Sequence, residues 1–180
     1  NILDSHDTPR LLSVARGDKA TLLLATLFQM TYPGAPCIYY GDEIALPGTK
    51  RYDRRHRDQD SRRPFPWHDK QLWDHSVLEY FRRAVALRHR YPVLRTGEMT
   101  TIHAADQQYG FVRHDGKGQL LIMLNAADED AELRVRVEPY LSDNRRLKSA
   151  FGPTCQAVVK EGHVQWNIPA RTGCVLAPTT

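Results

Sequence analysis

An α/β half followed by an all-β half is the fold class that this sequence predicts, and three observations predict it. Residues 1–94 run as apolar stub, polar loop, apolar helix, short apolar run, long polar loop and amphipathic helix, with polar groups wherever an extended run ends. From residue 95 onward apolar and polar residues alternate with period two between turn signals. Pro92 to Gly97 interrupts both patterns and marks the boundary, which gives an α/β part at 1–94 and an all-β part at 95–180.

The first element is the stub Ile2-Leu3, which leads into a polar loop from Asp4 to Arg16 that ends at Gly17. Asp18 is placed to cap a helix over Lys19–Tyr32, because its short carboxylate can accept the first free N–H groups. Leu22, Leu23, Leu24, Leu27, Phe28 and Met30 surround most of that helix, so it needs neighbours on several sides. Pro33-Gly34 stops it. Pro36-Cys37-Ile38-Tyr39-Tyr40 is nearly continuous in apolar character and fits a buried parallel strand ending at Gly41-Asp42-Glu43. A polar loop follows to about His75, and Ser76–Tyr91 predicts a helix with Val77, Phe81, Ala84, Leu87 and Tyr91 on one face. Two such strand–helix units neither close a barrel nor fill a sheet.

The second half reads as about seven short strands in an antiparallel sandwich. Asp115-Gly116-Lys117-Gly118 is a hairpin turn between Tyr109–Arg113 and Gln119–Asn125. Leu133, Val135 and Val137 alternate with charged residues, Val164, Trp166 and Ile168 alternate with polar ones, and Cys174–Ala177 is a last apolar strand.

At 41% hydrophobic residues the chain can bury a core, and its longest apolar stretch, Leu22–Met30, is too short to span a bilayer, so no membrane partner is expected. The net charge of +4 is concentrated in Lys50–Arg57. Such a run attracts nucleic acid when aromatic residues accompany it, but Asp53, Asp58 and Asp60 dilute this one and no stacking ladder is present, so no nucleic-acid partner is expected either. The three cysteines, Cys37, Cys155 and Cys174, form no CxxC pair and read as buried packing residues, which favours a reducing, cytoplasmic setting.

Four constellations carry possible chemistry. His6-Asp7 follows the first stub, where α/β active sites form; the Asp reads either as nucleophile, base or electrostatic stabiliser, or as a loop carboxylate capping N–H groups beside a hydrogen-bonded His. Asp42-Glu43 reads as structural, capping a turn or holding an Arg. Asp58 and Arg62 sit where they could bind substrate hydroxyls, or could form a surface ion pair worth little. His56, Asp58, Asp60, His68 and Asp69 are close in sequence but lack metal-ligand spacing, and no phosphate-binding glycine loop or nucleophile elbow occurs, so neither metal nor cofactor is expected.

Taken together, Ile2-Leu3-Asp4-Ser5-His6-Asp7-Thr8-Pro9-Arg10, Gly34–Glu43, Ser61-Arg62-Arg63-Pro64-Phe65-Pro66-Trp67 and the helix holding Leu87-Arg88-His89 resemble, in order, the alpha-amylase family of glycoside hydrolases, in its neopullulanase/cyclomaltodextrinase-like branch. The resemblance implies that residues 1–94 are the last two βα units of a (β/α)8 TIM barrel, and that a C-terminal β-sandwich domain follows. It implies a retaining glycosidase or transglycosidase acting on α-glucans, with nucleophile and acid/base roughly 5–5.5 Å apart. In the family those two groups follow the fourth and fifth barrel strands, which do not match any part of these residues. Asp7 matches the third carboxylate, which binds sugar hydroxyls and stabilises the cationic transition state; His6, Asp58 and Arg62 match substrate-binding positions. On this reading the chain alone is inactive, and its exposed barrel face favours self-association. The competing reading is a non-catalytic carbohydrate-binding or assembly module centred on the sandwich, with Trp166 stacking on sugars.

Overall fold

The computed structural model describes residues 1–48 and 59–179, without the side chains of Gln59 and Asp60. The chain divides into two compact units, one of residues Asn1–Gln29 and Gly34–Val85, the other of Met30–Pro33 and Ala86–Thr180.

In the first unit the single turn α1 (Leu11–Val14) precedes α2 (Lys19–Thr31), whose last turn belongs to the second unit. Asp18 caps α2 as its position predicts, accepting from Ala20 N at 2.9 Å and Thr21 Oγ1 at 2.7 Å. The helix α3 (His75–Arg90) starts beside Asp74, which accepts from Ser76 N and Val77 N, both at 3.0 Å, and pairs with Lys19 Nζ at 2.6 Å. Those contacts, Lys19 first, hold the Asp74 carboxyl well below the usual carboxylate range. Leu22 from α2 and Val77 and Phe81 from α3 pack with Leu12 and Ala45 in one apolar cluster.

The strand expected over 36–40 is reduced to one parallel bridge, Ile2 to Cys37. Gln29 Nε2 ties this bridge down by donating to Asn1 O at 3.1 Å and Cys37 O at 3.0 Å. A parallel ladder needs a partner of matching length, and a stub such as Ile2-Leu3 offers one bridge. The orientation is the expected one; the length is not.

The second unit opens with α4 (Val93–Thr96) and continues as eight strands: β1 (Glu98–Ala105), β2 (Gln108–His114), β3 (Gln119–Asn125), β4 (Ala131–Arg136), β5 (Arg146–Phe151), β6 (Gln156–Val158), β7 (His163–Ile168) and β8 (Thr172–Pro178). All pairings are antiparallel, in a six-stranded sheet of order β1-β2-β3-β8-β5-β6 and a two-stranded sheet β4-β7. Both sheets contribute to one core: Val112, Leu121, Met123, Leu147 and Leu176 from the larger, Val135, Val164, Trp166 and Ile168 from the smaller. The period-two pattern is why this works: in β7 the buried Val164, Trp166 and Ile168 alternate with exposed Gln165 and Asn167. The β2–β3 turn forms where the Asp-Gly signal puts it, with Asp115 Oδ1 accepting from Lys117 N and Gly118 N.

At the end of α2 the carbonyls that a helix leaves unpaired are taken by two arginines from far along the chain. Arg88 Nη1 donates to Met30 O at 2.7 Å, and Arg113 Nη1 donates to Thr31 O at 2.6 Å. Arg113 is fully buried and also donates to Glu98 O, Leu94 O and Gly97 O. Burial, and next the charge of Arg88, push its guanidinium down to about 10.

Candidate functional site

The site is built on the turn after the Ile2 bridge. Ser5 N donates to Thr8 Oγ1 at 2.8 Å and Asp7 N to Ser5 Oγ at 3.2 Å, so two hydroxyls shape a tight loop that turns His6 and Asp7 outward. Asp7 Oδ1 accepts from Arg62 Nη2 at 2.8 Å, while its Oδ2 lies 3.0 Å from His6 Nε2. The Asp7 side chain is 67% exposed and that of His6 62%, so the carboxylate is oriented without being closed off. Arg62 also grips the turn itself: its Nε donates to His6 O at 3.0 Å, and Ser61 Oγ donates to the same oxygen at 3.1 Å.

Three of the four sequence-predicted site residues are thus brought together, His6, Asp7 and Arg62, although 55 positions separate Asp7 from Arg62. Asp58 lies outside the described residues, as do the basic run Lys50–Arg57 and the candidate metal residue His56. Trp166 is 5% exposed in the two-sheet core, which leaves no ring face for a sugar.

Beneath the turn lies a buried polar seam that sequence reasoning did not single out. The Arg10 side chain is fully buried; its Nη1 donates to Tyr40 O at 2.9 Å and lies 3.5 Å from Asp42 Oδ1, while Nη2 donates to Ser61 O at 3.1 Å. The guanidinium carbon sits 5.0 Å from the Tyr39 ring centre and 5.2 Å from that of Tyr40. Tyr39 Oη also donates to Ser61 O at 3.0 Å, and Tyr40 Oη donates to Arg63 O at 2.7 Å. Gly41, at φ +94, is required here, since a Cβ would come within 2.9 Å of Leu46 Cδ2 and 3.0 Å of Arg10 Nη1. Glu43 Oε2 accepts from Gly41 N at 2.7 Å, so Asp42-Glu43 do hold an Arg and cap a turn.

Asp4, also buried, accepts from Leu11 N through Oδ2 at 2.6 Å and so starts α1. Its Oδ1 is buried and meets no N–H or hydroxyl donor among the described residues. Burial, then the charge and hydrogen bond of neighbouring Asp4, push Asp42 up to about 8 against the pull of Arg10. The protonated form of Asp42 is thereby favoured at neutral pH, where its O–H can donate to the neighbouring Asp4 carboxylate opposite Arg10. The signal that could have located this seam is the recurrence of chemically costly residues, Asp4, Arg10 and Asp42, beside apolar runs.

Farther along, Phe65, Trp67 and Trp73 touch ring to ring, with centres 4.3 Å apart for Phe65–Trp67 and 5.3 Å for Phe65–Trp73, and Trp67 remains largely exposed.

Residues 1–74 match the alpha amylase catalytic domain. The chain is 36% identical over 140 residues to a cyclomaltodextrinase of Geobacillus thermopakistaniensis, covering 77% of this chain and 22% of that enzyme. It is 39% identical over 139 residues to neopullulanase 2 of Thermoactinomyces vulgaris, covering 76% and 22%. An acarbose-soaked crystal structure of the Nostoc punctiforme debranching enzyme superposes with a TM-score of 0.80 at 36% identity, over 98% of this chain and 33% of that one. The chain thus spans about a fifth of the length of the curated relatives it matches. Through the domain that its first 74 residues match, with His6, Asp7 and Arg62 at its exposed turn, the chain belongs to the alpha-amylase family.

Proposed function

We propose that this chain supplies one corner of the active site of a retaining glycosidase or transglycosidase acting on α-glucans. The observation that carries the reading is Asp7: an exposed carboxylate, fixed through both oxygens by Arg62 and His6, on the turn after a parallel bridge within a matched alpha-amylase domain. A carboxylate so placed is oriented by its neighbours while its charge stays available to a cationic transition state and to sugar hydroxyls. His6 and Arg62 keep N–H groups beside it for the same sugar, and Asp58 joins them by family position. Residues 1–94 act as the last two βα units of a (β/α)8 barrel and residues 95–180 as its C-terminal sandwich. The acarbose-soaked relative supports an oligosaccharide as the ligand class.

The nucleophile and the acid/base lie, in this reading, outside these 180 residues. Purified alone, the chain should release no reducing sugar from maltodextrin or cyclodextrin; steady turnover would overturn the assignment. In a polypeptide carrying the whole barrel, Asp7→Asn should cut kcat by about 10²–10³-fold, the usual effect of removing one electrostatic stabiliser, and an unchanged kcat would do the same. Exposed Ile2, Val14 and Leu72 in the first unit favour self-association, which sedimentation of the isolated chain would detect as a species larger than the monomer.

A further inference from the structure

We infer that Cys155 and Cys174 are a redox-sensitive pair, a modification site in the second unit that closes to a disulfide when a small-molecule disulfide is the oxidant. Nineteen positions apart, on the β5–β6 loop and on β8, they have Sγ atoms 3.9 Å apart. The backbone is arranged to bring them there. Gly152, at φ +88, lies so close to β8 that a Cβ would stand 2.4 Å from Gly173 O and 3.0 Å from Cys174 Cα. Only a bare residue lets the loop settle that far onto the strand. Ser149 then locks the loop: Ser149 N donates to Cys155 O at 3.0 Å, Cys155 N donates to Ser149 Oγ at 2.8 Å, and Ser149 Oγ donates to Pro153 O at 2.5 Å. A disulfide needs its sulfurs about 2 Å apart, so the gap to be closed is about 2 Å, within reach of rotation about two Cα–Cβ bonds.

The two thiols differ in access, which sets the order of events. Cys155 is half-buried, whereas Cys174 is 1% exposed and its thiol is pushed up by burial and then by Cys155. The Cys155 thiolate attacks one sulfur of oxidised glutathione, forming a mixed disulfide and releasing one glutathione thiolate. Cys174 loses its proton to solvent and attacks the Cys155 sulfur; the protein S–S bond forms, the mixed S–S bond breaks, and a second glutathione thiolate leaves. The two protein thiols give up two electrons and glutathione disulfide accepts them.

The experiment treats the full chain with oxidised glutathione, alkylates it under denaturing conditions and maps the peptides by mass spectrometry. Cys37, which is exposed, serves as the internal control. The expected result is loss of two of the three alkylatable thiols into one linked peptide pair carrying Cys155 and Cys174, with glutathione on Cys37, and recovery of all three with dithiothreitol. In a Cys155→Ser chain Cys174 should stay alkylatable under the same treatment. Glutathione on Cys37 with Cys155 and Cys174 both still alkylatable, or a mixed disulfide that persists on Cys155, would overturn the inference.

Discussion

Asp42 shows how a single proton ties stability to pH in this chain. Its carboxyl is raised from 3.8 to about 8, mainly by burial and then by Asp4, so the folded state holds a proton that the unfolded state releases. The stabilisation is complete below about pH 4, declines as pH rises and is gone above about pH 8. Asp42→Asn replaces the shared proton with an amide N–H and should flatten this decline. Urea unfolding at about pH 5 and about pH 9, followed by Trp67 and Trp73 in the first unit, checks it. Equal slopes in variant and parent would mean that Asp42 is not the titrating group. Removing the partner instead is far more costly: Arg10→Met leaves a buried carboxylate charge uncompensated and should lower the first unit's stability by about 3–5 kcal/mol at neutral pH, read in the same titration.

Helix ends are where local sequence and long-range structure meet. Asp74 serves α3 from its own chain neighbourhood and gains Lys19 from the start of α2, which no local pattern announces. Asp74→Ala should cost about 0.5–2 kcal/mol through the lost cap. Because the folded carboxyl sits below its unfolded value, the contribution is present above about pH 4 and is lost as pH falls further, so parent and variant should converge in acid-unfolding curves. The same contrast holds in the sheets. Alternation in β4 and β7 is legible residue by residue, whereas the split into six and two strands is not. The split depends on β8 joining β3 and β5, and β5 lies more than 20 residues earlier. The unbroken burial of Gly173–Ala177 is the physical trace of that central position, visible in the sequence only as an apolar run.

At the scale of the whole chain, the strand-rich character of the second half was legible from periodicity. What was not legible is the carbonyl end of α2, where residues 30–33 belong with the second unit through Arg88 and Arg113. Arginine in an otherwise amphipathic helix and in an alternating strand reads as a solvent-facing charge, and only the fold shows that Arg113 ends four carbonyls instead. Arg113→Met should therefore act as a core lesion: each carbonyl it abandons costs about 1–3 kcal/mol if no water reaches it. Loss of the β-sheet circular dichroism signal at a clearly lower temperature than in the parent chain is the expected readout, and an unchanged melting curve would contradict it.

The contact between Arg62 and Asp7 has a consequence best put in the language of chain closure. Holding residues 55 positions apart costs about 3–4 kcal/mol of loop entropy if the intervening chain is flexible, and an exposed ion pair returns about 0–1 kcal/mol. The pair is too weak to be the tether. Arg10 and Tyr39, both donating to Ser61 O from within the protein, are the tether, and Arg62 is carried to Asp7 by it. Tethering and tuning are thus assigned to different atoms one residue apart, so the charge beside the carboxylate is free to change while the loop keeps its place.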